Sequence, residues 1–356
     1  MQSFVRNVTG LFVVLAVMLT AGSALGAPES LTLEEAVTLS EELGGAQEHP
    51  EADAVIGFDR TYVEFDETGA YQEHSHTFVK VLTEEGRDDN GSASFNYHRR
   101  YGSVEVVMAR VIKADGTEVP VTEELITDGT PPSVSAMNIF ESDFRELTVV
   151  FPGLEVGDAT EVIVRQDYEP LVKNGFTGIY FMQYVEPIAE SLITIKGPSD
   201  MPLRHLVKDG EVEFSESTAE GLTTYTWMAT DIPIIEKELG MVPPRQIAMR
   251  LIVSTMQTWP EASRYMWAMV NDKCVVEDDI RDVVEEITEG LESREDKIRA
   301  IHYWILENVR YLGISMDRGV FLEPHVASYT LEKEYGICRD KAVLMMTMLK
   351  EIGVDS

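Results

Sequence analysis

The spacing of apolar and polar residues changes once along this chain, close to residue 254. Between residues 54 and 253 the apolar residues fall in short runs where they alternate with polar residues, and turn-forming residues separate the runs. Such alternation is typical of half-buried strands, and a succession of about a dozen strands predicts an antiparallel β-sandwich. Beyond Trp259 and Pro260 the apolar residues recur at helical spacing, so the remainder of the chain is predicted to be helical.

Two Asp-Gly pairs mark turns in the β-rich part. Asp115-Gly116 and Asp209-Gly210 each lie between two runs of strand-forming residues. Asp and Gly tolerate the positive φ angles that a tight hairpin turn requires. We therefore predict that each pair joins two neighbouring antiparallel strands.

The C-terminal part contains several predicted helices. Residues 261–270, 278–288 and 294–309 have apolar residues at helical spacing, and Ser293 is placed to cap the third helix. A further helix begins near Cys338, because apolar residues recur at helical spacing after it: Ala342, Met345, Leu349 and Ile352.

The N-terminus has the pattern of a secretory signal peptide. Arg6 supplies positive charge, residues 11–20 are apolar, and the small residues that follow place a cleavage site between Gly26 and Ala27. An uncleaved N-terminal anchor is the alternative, and no later stretch is long and apolar enough to span a bilayer. We therefore predict a periplasmic or secreted protein without a membrane span after cleavage.

These changes of pattern divide the chain into four regions. Residues 1–26 form the signal peptide, and residues 27–53 form a short helix and a linker. Residues 54–253 form the β-sandwich domain, and residues 254–356 form the helical domain. The length of the chain after cleavage is typical of two domains.

The charge of the chain limits its partners. It contains 62 acidic and 29 basic residues, which gives a net charge of −33 at pH 7. A field of this sign repels nucleic acids and anionic lipids, so we do not expect either as a partner. The seven histidines form no HExxH motif, and His74 and His76 alone are a weak zinc signal. We expect neither a metal nor a cofactor.

The most informative segment of the chain surrounds Cys338. This cysteine follows Gly336 and stands where a loop becomes a helix, with Arg339 and Lys341 close by. The first turn of a helix favours negative charge, which shifts a thiol towards the nucleophilic thiolate. Two other interpretations remain open: a small buried hydrophobe, or a disulfide with Cys274, the second cysteine of the chain.

The segment around Cys338 and the helix before it resemble the start of a bacterial transglutaminase-like core, of the papain-like cysteine superfamily. The β-rich part is similar to the domain of unknown function that commonly precedes such cores in exported bacterial proteins. Together the resemblance covers roughly residues 55 to 356. The segments that carry it are residues 79–86, 109–116, 254–259, 301–305, 308–311, 336–342 and 344–353.

The resemblance implies that Cys338 is the catalytic nucleophile of an α+β core of which this chain contains the helical first part. Family members often have an acidic residue before the cysteine, where this chain has Ile337. The catalytic histidine and aspartate of the family lie well downstream of the cysteine, on strands that this chain lacks. We therefore expect a C-terminally truncated chain that is inactive by itself.

Three other polar residues of the C-terminal part are expected to have structural roles. His302 and His325 precede the cysteine, against the order of the family, so we expect them to pack or to face solvent. Asp340 is interpreted as a partner of the helix dipole in the first turn.

Two functions are consistent with the sequence. The first is an exported cysteine enzyme that attacks protein or peptide amides and passes the acyl group to an amine or to water. The second is a non-catalytic β-sandwich module that binds a peptide, a glycan or a partner protein. The reactivity of the Cys338 thiol discriminates between them.

Overall fold

The computed structural model describes residues 28–132, 144–170, 173–236, 238–311 and 323–356. The predicted signal peptide, residues 1–26, lies outside the described residues. Within them, no helix is long and apolar enough to cross a membrane.

The strands of the β-rich part are, in chain order, β1 (Ala54–Phe65), β2 (Tyr71–Val81), β3 (Ser92–His98), β4 (Gly102–Ile112), β5 (Glu118–Pro120), β6 (Ile126–Gly129), β7 (Phe144–Val150), β8 (Ala159–Tyr168), β9 (Thr177–Phe181), β10 (Ile188–Pro198), β11 (Arg204–Lys208), β12 (Glu213–Ala219), β13 (Leu222–Ile232) and β14 (Arg250–Ser254). Two helices accompany these strands, α1 (Leu33–Glu42) and α2 (Glu84–Asp89).

The C-terminal part contains the helices α3 (Trp259–Asn271), α4 (Asp278–Thr288), α5 (Arg294–Asn308), α6 (Ala327–Lys333) and α7 (Cys338–Glu351). Two short strands, β15 (Arg310–Tyr311) and β16 (Tyr335–Gly336), pair in parallel between these helices. A mainly β region followed by helices is the predicted fold class, which the structure confirms.

The strands of the β-rich part form one large and two small sheets. The large sheet has eight strands in the order β12-β13-β10-β1-β2-β8-β4-β5. The small sheets have the orders β11-β14-β9 and β3-β7-β6. The large sheet is mixed rather than antiparallel, because β1 and β10 pair in parallel. A parallel pair needs a long connection, and the segment from β2 to β9 provides one.

The two predicted hairpins have different outcomes. Asp115-Gly116 joins the antiparallel pair β4 and β5, as predicted. Asp209-Gly210 does not form a hairpin, because β11 pairs with β14 while β12 pairs with β13. The turn residues therefore do not decide the pairing here: β14, whose Leu251 and Val253 are buried in the core, lies between β11 and β9.

Both small sheets pack on one face of the large sheet. One apolar cluster joins Ile195 and Trp227 of the large sheet to Leu251 of β14. Another joins Val164 of β8 to Val149 of β7. On the opposite face of the large sheet, helix α1 packs through Ala36 in a third cluster.

A buried carboxylate fastens the segment before α1 to the large sheet. Glu161 is fully buried and accepts hydrogen bonds from the Leu31 N–H at 2.9 Å and from Arg110 at 2.6 Å. The His76 Nε2 lies 2.8 Å from Glu161 Oε1. Burial raises the pKa of Glu161, but these hydrogen bonds and the charge of Arg110 outweigh it and lower the pKa overall. His76 therefore belongs to this network, and among the described residues no group of His, Cys, Asp or Glu is arranged to hold a metal ion.

Candidate active site

Cys338 is the first residue of α7 and follows the short parallel pair β15–β16. The N-cap residue of the helix is Ile337, and Gly336 pairs with Tyr311 of β15. The helix is anchored by an apolar core that it shares with α4 and α5, which includes Leu344 and Met348. The cysteine is therefore presented at the exposed end of an element whose other turns are fixed by packing.

The two cysteines have contrasting environments. Cys338 is a free, exposed thiol, whereas Cys274 is free and buried, with 7% of its surface accessible. The structure thus contains neither the disulfide nor the buried Cys338 that the sequence left open. An exposed thiol at a helix start meets two conditions for a reactive cysteine.

The start of α7 has an apolar N-cap residue. The first hydrogen bond of the helix runs from the Lys341 N–H to the Ile337 carbonyl at 3.0 Å. The side chain of Ile337 is a hydrocarbon, so it does not accept hydrogen bonds from the N–H groups of the first turn. These groups carry a partial positive charge, which favours an oxyanion placed beside them.

Asp340 connects the start of α7 to the preceding loop. Its buried carboxylate accepts hydrogen bonds from the Ile337 N–H at 3.1 Å and from the His325 N–H at 3.0 Å. The His325 Nδ1 lies 3.3 Å from Asp340 Oδ1. Burial raises the pKa of Asp340, but the hydrogen bonds from His325 and Ile337 outweigh it and lower the pKa overall. Asp340 is therefore ionised at neutral pH, and it fixes the loop relative to the helix.

Gly336 allows three elements to approach one another closely. A Cβ atom at this position would lie 2.8 Å from the Cβ of Asp340 and 3.3 Å from the Cγ2 of Thr330 in α6. A separation of 2.8 Å is below any ordinary carbon–carbon contact, so a larger residue requires a shift of the backbone.

The two histidines considered from the sequence lie in different places. His302 is exposed on α5 beside Tyr303, at a ring separation of 5.7 Å. The His325 ring stacks on Tyr329 at 4.6 Å and contacts Asp340. Among the described residues, no hydrogen bond joins Cys338 to a histidine.

The contact between His325 and Asp340 is the feature of this site that the sequence did not predict. Asp340 stands three residues after Ile337, which is the spacing of an acidic side chain that bonds back to the N-cap N–H. This spacing predicts the hydrogen bond from the Ile337 N–H to Asp340. The contacts of Asp340 with His325 depend on the path of the loop that carries His325, and the sequence of that loop has no periodicity from which the path can be predicted.

Two family descriptions match this chain. Residues 67–236 match a domain of unknown function with a solved structure, DUF3857. Residues 281–356 match the transglutaminase-like superfamily, and Cys338 lies within this segment. A comparison with curated proteins gives no match.

The fold resembles that of a solved structure described as a "putative protease" from Parabacteroides distasonis ATCC 8503. The TM-score is 0.73 at 18% identity, and the match covers 85% of this chain and 59% of that chain. Identity this low establishes a similar fold only, and the present chain spans less than two thirds of that protein.

Two further structures are those of an M1 zinc metallopeptidase from Deinococcus radiodurans, one of them a mutant. They match with a TM-score of 0.31, at 10% and 9% identity, and cover 56% and 57% of this chain and 42% of their own. A TM-score of 0.31 is too low to support a conclusion about the fold or function of this chain. The two family matches agree with the β-rich and helical parts of the fold: a segment that matches DUF3857 precedes a segment that matches the transglutaminase-like superfamily.

Proposed function

We propose that this protein is an exported cysteine enzyme that cleaves or transfers protein and peptide amides, with Cys338 as its nucleophile. The observation that carries the proposal is the position of Cys338, a free and exposed thiol at the first residue of α7. It lies in the segment that matches the transglutaminase-like superfamily. The predicted signal peptide supports a periplasmic or secreted location.

The proposed reaction follows from the chemistry of a thiolate. The Cys338 sulfur attacks the amide carbonyl carbon, and a C–S bond forms as the carbonyl oxygen takes up negative charge. Backbone N–H groups at the start of α7 stabilise that oxyanion. The C–N bond then breaks, and the leaving amine takes a proton from a general acid. The acyl group passes from sulfur to water in hydrolysis or to a second amine in transamidation.

The general acid is the part of this mechanism that the described residues do not supply. Among them, no histidine is hydrogen-bonded to Cys338, and the His325 ring is held by Asp340 instead. We propose that the histidine and its aspartate partner are encoded after residue 356, in line with the longer chain of the Parabacteroides distasonis protein. The present chain alone is then expected to show a reactive thiol without turnover.

Thiol alkylation tests this proposal on the present chain, with the second cysteine as an internal control. In folded protein near neutral pH, iodoacetamide is expected to modify Cys338 at least about ten times faster than the buried Cys274. Mass spectrometry of the two cysteine-containing peptides over time gives both rates. In denatured protein the two rates should converge.

A Cys338 that stays inert in folded protein would contradict the enzymatic proposal and favour the non-catalytic binding module. If Cys338 is reactive, the complete reading frame should be tested for the release of amine from peptide amides, with Cys338→Ser as the inactive variant. Addition of a labelled primary amine distinguishes the two reactions, because only transamidation attaches the label to the substrate.

A further inference from the structure

The small sheet β11-β14-β9 has an exposed outer face. Its inner side chains belong to the core, since Leu251 is 0% and Val253 is 1% exposed. Alternate residues of a strand point to opposite faces, so their neighbours face outward. Leu206 is 55% and Ile179 is 61% exposed, and both align with Ile252 of the central strand. These three side chains form a continuous apolar row across the outer face.

Basic residues flank this row. Arg204 and Lys208 lie on β11 two residues before and two residues after Leu206, and Arg250 lies beside Lys208 on β14. None of the three strands contains Asp or Glu, although the chain has 62 acidic and only 29 basic residues. We call this surface the cationic face; it consists of the outward side chains of β11, β14 and β9.

Two of the cations are not neutralised by an acidic side chain. Arg250 forms an ion pair with Asp209 at 2.9 Å. Arg204 donates to the backbone carbonyl of Gln257, which carries no charge. Among the described residues, no ion pair involves Arg204 or Lys208. A patch with two uncompensated positive charges around an exposed leucine is therefore present on a strongly acidic protein.

Strand β11 is also an edge strand. Within the described residues it pairs with β14 on one side and with no strand on the other. All of its residues except the half-buried Val207 are exposed. An unpaired edge presents backbone N–H and C=O groups that a further strand can use. The positively charged and apolar side chains of the face thus stand directly beside a free row of backbone hydrogen-bonding groups.

The charge of the whole molecule decides which kind of partner fits. A membrane or a nucleic acid extends over many Debye lengths and meets the field of all 33 excess negative charges, which repels it. A short peptide meets mainly the charges within about 8 Å at physiological ionic strength. For a peptide paired with β11 these charges include Arg204 and Lys208, and the nearby Asp209 is already paired with Arg250. A second copy of the chain brings the same large negative charge, and an antiparallel contact of two β11 strands centred on Leu206 places Arg204 opposite Lys208 of the other copy. A short acidic peptide is the partner that avoids each of these repulsions.

We propose that the free edge of β11 binds an acidic peptide in extended conformation, which adds to the small sheet as a further strand. Side chains two residues apart on the added strand lie on one face about 7 Å apart, the same spacing as Arg204, Leu206 and Lys208. The peptide therefore carries an acidic residue, an apolar residue and a second acidic residue at alternate positions. Its carboxylates lie beside Arg204 and Lys208, its apolar side chain lies beside Leu206, and its backbone pairs with β11. This inference does not depend on the chemistry of Cys338.

Fluorescence polarisation with defined peptides tests the proposal on the whole purified protein. The probe is a labelled peptide that contains Glu-Thr-Leu-Thr-Glu, and the matched control peptide contains Lys-Thr-Leu-Thr-Lys. The acidic probe should bind, the basic control should not, and binding should weaken as salt is added. Equal binding of both peptides, or none at millimolar protein, would overturn the proposal.

Two matched variants separate the effect of the local charge of β11 on peptide affinity from the effect of the net charge of the protein. The double variant Arg204→Glu/Lys208→Glu should lower the affinity for the acidic probe by about tenfold or more, since two cross-strand charge pairs change sign. The variant Arg264→Glu/Arg294→Glu makes the same change of net charge at exposed positions of α3 and α5 and should leave the affinity nearly unchanged. An equal loss in both variants would mean that net charge alone governs binding, against the proposal.

Hydrogen exchange identifies which edge strand binds the peptide, and assays of vesicle binding and of dimerisation identify the class of partner. On binding of the probe, the amides of β11 should become protected, whereas those of β9 should not. Protection of β9 instead would refute the assignment to β11. Binding of the protein to anionic vesicles through Arg204 and Lys208, or a dimer that dissociates in the double variant, would assign the cationic face to a membrane or to a second copy and would overturn the peptide proposal.

Discussion

Gly336 and Asp340 determine the geometry around Cys338, Gly336 through the close packing that its missing side chain allows and Asp340 through the hydrogen bonds of its carboxylate. Gly336 lets the chain pass against α6 and α7, and Asp340 ties the loop that carries His325 to the helix start. Neither residue is assigned a direct part in the proposed reaction. Their role is to hold the first turn of α7 in place, so that Cys338 and the N–H groups near it keep one arrangement.

Replacement of Gly336 by alanine should destabilise the helical part. The added Cβ would lie 2.8 Å from the Cβ of Asp340, and relief of this overlap requires movement of the backbone. We expect a loss of about 1–3 kcal/mol in the free energy of unfolding, measured by urea denaturation. Gly129→Ala is the matched control, since nothing lies within 4 Å of a Cβ atom there. Equal stability of the two variants would contradict the close contact at Gly336.

Replacement of Asp340 by asparagine tests the hydrogen bonds of the carboxylate. The variant loses the charge that accepts from His325 and Ile337, and we expect a loss of about 1–3 kcal/mol at neutral pH. Because the fold lowers the pKa of Asp340, its contribution is present above the pKa of the unfolded chain and disappears as the pH falls through the folded pKa. The difference between the two proteins should therefore shrink in acid.

Urea denaturation at several pH values measures this difference. Glu332→Gln is a suitable control, because Glu332 pairs with its neighbour Lys333 on the surface. A difference between wild type and Asp340→Asn that is the same at all pH values would argue against an ionised Asp340.

At the scale of elements, the pairing of β1 with β2 brings two carboxyl groups into one partly buried region. Asp59 of β1 is opposite Thr77 and Glu73 of β2 is opposite Val63, so both carboxyls lie on the same face of the sheet. The Tyr184 hydroxyl donates to Asp59 at 2.9 Å. Burial raises the pKa of Asp59 to about 6, although the hydrogen bond from Tyr184 opposes the rise. Burial and the charge of Asp59 raise the pKa of Glu73 to about 7.

These raised pKa values predict that the β-rich part loses stability as the pH rises. The folded state holds a proton on Glu73 more tightly than the unfolded chain, whose ordinary pKa is 4.5. Its stabilising contribution is therefore complete below that value and is lost as the pH rises through about 7. We expect the free energy of unfolding to fall by on the order of 2 kcal/mol between about pH 5 and about pH 8.

Glu73→Gln should remove most of this fall, because glutamine does not ionise. Chemical denaturation of both proteins across the pH range is the measurement, and Glu67→Gln, at an exposed position, provides a control that should keep the wild-type profile. An unchanged slope in Glu73→Gln would exclude Glu73 as the group that titrates.

At the scale of the whole molecule, export and processing are predictions of the sequence. Residues 1–26 have the three-part pattern of a signal peptide, and cleavage leaves Ala27 as the first residue. In a bacterial host, the mature protein is expected in the periplasm or the medium, with an intact mass that corresponds to a chain beginning at Ala27. Retention of the full mass in the membrane fraction would indicate the uncleaved anchor instead.

The sequence alone determined the features that depend on local spacing. Alternating apolar residues gave the strands, helical spacing and Ser293 gave α5, and Asp115-Gly116 gave the hairpin of β4 and β5. It also placed Cys338 at the start of a helix, because Gly336 and the apolar residues after Cys338 are all within one short segment. These features are encoded by neighbouring residues, whose conformational preferences hold before the chain folds.

Only the tertiary structure decided the features that depend on which distant segments meet. Examples are the parallel pairing of β1 with β10, the pairing of β11 with β14 rather than β12, and the contact of His325 with Asp340. The exposure of the Cys338 thiol and the burial of the Cys274 thiol were also decided by the tertiary structure. Burial of apolar surface is non-directional, so the best packing of the whole chain selects these partners. No local pattern specifies them.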